Sequence, residues 1–179
     1  MQGQFLIAHP LLNDGFFNRS VILLTNHNEE GSLGFILNLN TQFKLRDVRP
    51  QVKNGNFPIY EGGPVAKDQL FFLHRLGDKV GDSLQVRDNI WFGGDFGELL
   101  HGIDHGTIKH NDVRFFVGYS GWGEGQLEKE IKSGSWMQSN NVKKKIFEAD
   151  DALLWQHFLQ EQKPGLGIFA NIGFDPSMN

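Results

Sequence analysis

Ser120 sits in Gly118-Tyr119-Ser120-Gly121-Trp122, near the Gly-x-Ser-x-Gly pattern that raises a nucleophilic serine on a tight strand-to-helix turn. The fifth position is Trp122 instead of glycine, so a serine hydrolase is disfavoured. His101 and His105 are four apart, a spacing at which one helix face can offer two imidazoles to a metal. No Glu follows His101 and Gly102 loosens the backbone, so the expected reading is a pair of histidines facing the last carbonyls of a helix. His9, His27, His74 and His157 have no partner spacing. With no cysteine there is no disulfide framework, thiolate zinc site or cysteine nucleophile. Neither a metal nor a cofactor is expected.

Four glycines between Gly118 and Gly125 suggest a turn whose N–H groups cradle an anion at a helix N-terminus. The order Gly121-Trp122-Gly123-Glu124-Gly125-Gln126 fails the last position of a dinucleotide fingerprint, and no Gly-Lys-Ser/Thr run exists. Glu124 and Glu128 also stand where an anion would bind. The glycines are therefore read as permitting close contact between Trp122, the next helix and the sheet. Arg19, set between Phe16-Phe17 and Val21–Leu24, needs a partner if half-buried. Glu128 or Glu130 is the expected one; an anion site at a cleft is the sharper alternative. Asn38, at the end of Phe35-Ile36-Leu37, raises the same question.

Several elements must position these residues. Phe5–Ala8, Ser20–Thr25, Leu33–Leu39, Gln69–His74 and Phe115–Val117 read as strands, the second and third forming an antiparallel hairpin around Asn28-Glu29-Glu30-Gly31. Ser20–Thr25 is apolar nearly throughout, as a strand buried on both faces would be. Leu45, Val48 and Val52 suggest a short helix. Ile59–Val65 and Ile90–Phe96 echo one another, each a strand end running into Gly-Gly. Asp95 with Glu98 forms the capping box of a helix ended by His105-Gly106. The glycine-rich turn leads to a helix carrying Leu127 and Ile131, with Glu128 paired to Lys132 and Gly134 at its end. Lys144–Ala149 reads as a strand. Asp150 or Asp151 caps a last helix with Leu154, Trp155 and Phe158 on its apolar face, stopped by Pro164-Gly165. Residues 165–179 are apolar enough to pack back or meet a partner.

At 179 residues the chain is expected to be a single domain, able to bury about 70% of the surface its unfolded form exposes. The net charge of −4 disfavours direct nucleic-acid binding, which needs a basic face, and Lys143-Lys144-Lys145 is the sole basic cluster. No basic and apolar leader opens the chain, so a soluble, cytoplasmic protein without membrane association is expected.

Phe16-x-x-Arg19-Ser20-Val21-Ile22-Leu23-Leu24, His27-x-Glu29-Glu30-Gly31-Ser32-x-Gly34-x-Ile36-x-Asn38, Gly62-Gly63-Pro64-Val65, Leu73-His74, Gly118–Glu130 and Gly134-Ser135-Trp136 together resemble the bacterial YqgE/AlgH family across essentially the whole chain. The resemblance implies an α+β fold: one largely antiparallel, bifurcated, barrel-like sheet surrounded by helices. It implies no established activity and no transferable catalytic residues; the family name refers to a proposed role in regulating alginate synthesis. Redox sensing through a thiol is put in doubt by the missing cysteine.

The expectation for function is a non-enzymatic binding module for an unknown small molecule or protein. Arg19, Asn38, Gly62, Gly63, Pro64, Tyr119, Ser120, Trp122, Gln126 and Glu130 are its candidate cleft. The alternatives are a transcriptional regulator acting through protein partners and an enzyme of unknown reaction, with Glu124 or His74 as its perturbed acid or base.

Overall fold

The computed structural model describes residues 1–140, 146–148, 151–162 and 165. Among these residues ten strands and four α-helices follow in the order β1 (Phe5–Ala8), β2 (Val21–Asn28), β3 (Gly31–Ile36), β4 (Asn40–Lys44), α1 (Leu45–Val48), β5 (Pro58–Glu61) and β6 (Val65–His74). Then come β7 (Leu84–Arg87), β8 (Ile90–Phe92), α2 (Phe96–Asp104), β9 (Val113–Gly123), α3 (Gln126–Lys132), β10 (Trp136–Ser139) and α4 (Asp151–Gln162).

The strands form one sheet in the order β10-β1-β2-β3-β9-β6-β8-β7, with β4 and β5 branching from it. The branch lies on β9. Along one edge its first half pairs in parallel with β5, Phe115 to Val117, and its second half pairs antiparallel with β3, Ser120 to Gly123. The other edge carries β6 from Val113 to Tyr119. The expected bifurcation is therefore a single long strand that changes neighbours midway. The sheet does not close into a barrel: among the described residues no ladder joins β10 to β7. Arg87 of β7 instead reaches Gly3 O with Nη1 at 2.6 Å, just before β1.

Both faces of the sheet are covered, which explains the uninterrupted apolar runs. Ile7, Leu23, Phe35 and Phe116 point to a core shared with Leu154, Trp155, Phe158 and Leu159 of α4. Their neighbours Leu6, Ile22 and Ile36 point the other way, onto Leu127 of α3 and the indoles of Trp122 and Trp136. At the other end of β9, Phe72, Val113 and Phe115 pack under Leu99 and Ile103 of α2. Alternation sends successive residues to opposite faces, so a strand covered on both has no polar positions to spare.

Four local expectations need correcting. The glycine-rich stretch is strand, not turn: β9 runs through Gly118 and Gly121 to Gly123, and the turn is only Glu124-Gly125. The capping box of α2 is half formed. Asp95 Oδ1 accepts from Glu98 N at 2.9 Å, but Glu98 Oε2 turns to Gly81 N at 2.8 Å, because Asp95 N already donates to Gly81 O. Glu128 of α3 faces His27 Nε2 of β2 at 3.7 Å, where Lys132 is the expected partner. Ile146–Glu148, within the expected strand Lys144–Ala149, is a turn. The rest of that strand, Asp150, Pro164 and the tail from 166 lie outside the described residues.

Candidate functional site

The ten residues of the cleft expected from the sequence fall into three separate groups. The first is built on the carboxylate of Glu130. The sequence makes α3 amphipathic, so Leu127 is fully buried while Gln126 and Glu130, one turn apart, lie beside β9 and β10. Glu130 Oε2 accepts from the indole Nε1 of Trp122 at 2.9 Å and of Trp136 at 2.8 Å. Its Oε1 accepts from Gln126 Nε2 at 2.8 Å, and Gln126 Oε1 in turn accepts from Gly123 N at 3.0 Å. The two indoles meet edge to face at 6.0 Å, with Phe17 packed on both. One acid thus locks two tryptophans, a helix and two strands.

The second group sits where β9 changes neighbours. Gly62 N donates to Val117 O at 2.8 Å, and Gly62 O accepts from both Ile36 N and Ser120 Oγ at 3.0 Å. Ser120 is fully buried. A Cβ on Gly118, whose φ is +68°, would collide with Gly63 O, and one on Gly63 would collide with the Tyr119 backbone. Backbone meets backbone here, which only glycine permits. Tyr119 stands edge-on to Phe71 at 5.8 Å, and Pro64 is exposed.

Arg19 and Asn38 make the third group. Asn38 Nδ2 donates to Arg19 O at 2.9 Å, and its Oδ1 accepts from Val21 N at 2.8 Å. The amide therefore holds the approach to β2 with Arg19 at φ +55°, an uncommon value for a residue with a side chain. The guanidinium lies over the Trp155 ring of α4 at 5.5 Å. Glu128 and Glu130, the expected partners, are directed to His27 and to the two indoles.

Of the two residues considered as a perturbed acid or base, His74 is fully buried. Its Nδ1 accepts from Leu76 N at 3.2 Å, which leaves the ring proton on Nε2, facing Gly93 O at 3.1 Å and Ser83 Oγ at 2.9 Å. Ser83 Oγ itself donates to Val80 O at 2.6 Å. In this tautomer the nitrogen facing the hydroxyl carries a proton, so it cannot take one from Ser83. Burial pushes the imidazole below its ordinary pKa, with the Gly93 hydrogen bond opposing. Glu124 is exposed in the turn after β9. The rings of His101, in the last turn of α2, and His105, its C-cap, lie 4.0 Å apart, and His105 Nδ1 meets His101 O at 2.8 Å. Among the described residues no three His, Asp or Glu side chains come together as a metal set.

A groove of about 580 Å³ opens elsewhere, between β4 with α1 and the branch of β5 and β9. Phe16, Leu39, Phe43, Val48 and Val117 supply its apolar walls; Asp47, Glu61 and Lys67 supply its charges. Phe43 is 61% exposed, unusual for a ring beside a core. Glu61 is the last residue of β5, immediately before the Gly62-Gly63 crossing, and its side chain is only 17% exposed. Lys67 Nζ lies 3.3 Å from Glu61 Oε1 and 5.7 Å from the centre of the Phe16 ring. That approach is close enough for an ion pair but misaligned for a hydrogen bond, and Glu61 Oε1 is buried with no hydrogen-bond donor among the described residues. None of the ten expected residues lines this groove. Sequence reasoning passed over its key members because an acid before Gly-Gly and a Phe in the polar run Asn40–Arg46 follow no motif.

A single α+β unit, with a forked open sheet, glycine-filled at the fork and grooved beside it, defines the class of protein. The chain belongs to the AlgH-like family, whose sequence profile matches residues 5–166. It is 44% identical to a UPF0301 protein of Parabacteroides distasonis, over all of this chain and 91% of the relative. A UPF0301 protein of Cytophaga hutchinsonii is 37% identical over 99% and 98%. Among solved structures, the solution structure of the AlgH protein from Pseudomonas aeruginosa superposes with a TM-score of 0.68 at 29% identity, covering 93% of this chain and 88% of that one. A crystal structure of a protein from Corynebacterium diphtheriae gives 0.76 at 21% identity, covering 94% and 91%, a likeness of fold.

Proposed function

We propose that the protein is a non-enzymatic binding module whose ligand site is the groove between β4 and the β5–β9 branch. One observation supports the reading: apolar walls and a few charged groups line an open groove of about 580 Å³, within the size range of small-molecule sites. In this reading the residues first assigned to a cleft are its supports. Gly62, Gly63, Gly118 and Ser120 fix the fork from which Glu61 and Val117 project, and Glu130 holds the tryptophan side of the sheet.

A screen of bacterial metabolites by thermal shift tests this, using the wild type beside Val48→Trp, which fills the groove from a surface helix. A ligand at about a hundredfold over its Kd raises the wild-type Tm by about 5–10 °C and leaves the variant unchanged. No stabilising compound, or equal stabilisation of both proteins, counts against the site. The exposed ring of Phe43 and the 40%-exposed Leu39 favour a second reading, a regulator whose protein partner covers the same groove. Partner binding lost in Phe43→Ser, with no metabolite response, would favour that one.

A further inference from the structure

We infer that the ligand of this groove is a small organic cation, an ammonium carried on an apolar body; the inference rests on the groove being the binding site. Two carboxylates and one ammonium face the groove, so its own charge is negative, as is that of the whole chain at −4. The more telling atom is Glu61 Oε1, a buried acceptor whose one close cation among the described residues, Lys67 Nζ, lies outside hydrogen-bond geometry. A buried carboxylate oxygen without a donor is costly, and a bound N–H group supplies what it lacks. Phe16 takes the Lys67 ammonium over its face at 5.7 Å, so this wall accepts a cation, and a bound ammonium would compete with Lys67 for it. The other carboxylate, Asp47, accepts from Lys44 N at 2.7 Å and keeps the entrance acidic.

The form of the occupant follows from β4. This strand pairs with β5 on one side only, and an unpaired strand edge invites an incoming peptide strand. Here two of its amides are already occupied by side chains: Gln42 N donates to Asn40 Oδ1 at 2.8 Å, and Phe43 N donates to Thr41 Oγ1 at 3.2 Å. Gln42 at φ +67° also breaks the extended run. The edge offers no regular ladder, which points to a free small molecule held by side chains.

The test is a ¹⁵N-edited NMR titration of the full chain with three probes that share a phenylethyl body and differ in the charge of the head group: 2-phenylethylammonium, neutral 2-phenylethanol and anionic 3-phenylpropionate. The cation is expected to shift the amides of Leu39, Phe43, Glu61 and Val117 and to bind about tenfold more tightly than either other probe. Glu61→Gln, its fold checked in the same spectra, is expected to remove that preference. Lys67→Gln, at an exposed position, is expected to increase it by removing the competing ammonium. Equal binding of all three probes, or preference for the anion, overturns the cation assignment and leaves the groove as the site. Binding of acetyl-Phe-Lys-amide but not of the free amine makes the occupant a protein side chain and also overturns it. No shift at the groove amides with any probe contradicts the cation and the groove together.

Discussion

Individual side chains carry much of this structure, and two of them make its claims measurable. Glu130 serves three donors, two of them indole N–H groups on largely buried tryptophans. Glu130→Ala strands those donors and is expected to cost about 2–4 kcal/mol in urea denaturation, whereas Glu130→Gln, which keeps one acceptor oxygen, costs about half as much. A loss below about 0.5 kcal/mol for the alanine variant would mean that water replaces the carboxylate freely. His74 makes a prediction in pH. Its folded pKa is lowered, so the unfolded chain takes up the proton first. The stability tied to neutral His74 is complete above about pH 6.5 and declines as pH falls below that value toward the folded pKa. Urea midpoints measured from pH 7.5 to 5 are expected to fall, and His74→Gln, which keeps a donor toward Gly93, is expected to flatten that part of the profile. An unchanged slope in the variant would assign the titration to another group.

At the scale of elements the decisive feature is the fork on β9. The strand changes partner from β5 to β3 within a few residues, and the change requires backbones to touch at Gly62, Gly63 and Gly118. Gly118→Ala introduces a Cβ both at a left-handed φ and against Gly63 O, and is expected to cost more than about 2 kcal/mol by urea denaturation. Gly123→Ala, where an added Cβ meets nothing within 4 Å, is the control and is expected to cost far less. The same region marks the limit of what the sequence reveals. Runs such as Val21–Leu24 announce two-sided burial directly, since no alternation is left in them, and Leu154, Trp155 and Phe158 on α4 follow helical spacing onto the core as expected. Gly118–Gly123 looks like a turn because isolated glycines are turn punctuation. Their role as strand residues depends on Gly62-Gly63, more than fifty positions away, and local pattern carries no information about that contact. β4 and β7 were equally hard to read: β4 is largely exposed and shows no apolar period, and the alternation Leu84-Gln85-Val86-Arg87 of β7 is only four residues long.

Across the whole molecule, the expected cleft residues are distributed over three clusters, while the open groove belongs, Phe16 apart, to residues that no motif marks. Trp122, Gln126 and Glu130 were legible as a constellation because they lie within nine positions on a strand, a turn and a helix. What they build is a joint between layers. The groove draws on Phe16, on Phe43 beyond the first hairpin, on Glu61 and Lys67 flanking the Gly-Gly crossing, and on Val117 of β9. Folding alone assembles it. In this chain of the AlgH-like family the glycine-jointed fork and the tryptophan joint therefore lie apart from the groove, and the proposed binding site is the groove. The most direct measurement of this division is chemical-shift mapping on the ¹⁵N-labelled chain, titrated with a bacterial metabolite extract. The account predicts shifts concentrated at Leu39, Thr41, Phe43, Glu61 and Val117, with the indole signals of Trp122 and Trp136 unmoved. Shifts centred on those indoles or on Arg19 and Asn38, or no shifts anywhere, would contradict it.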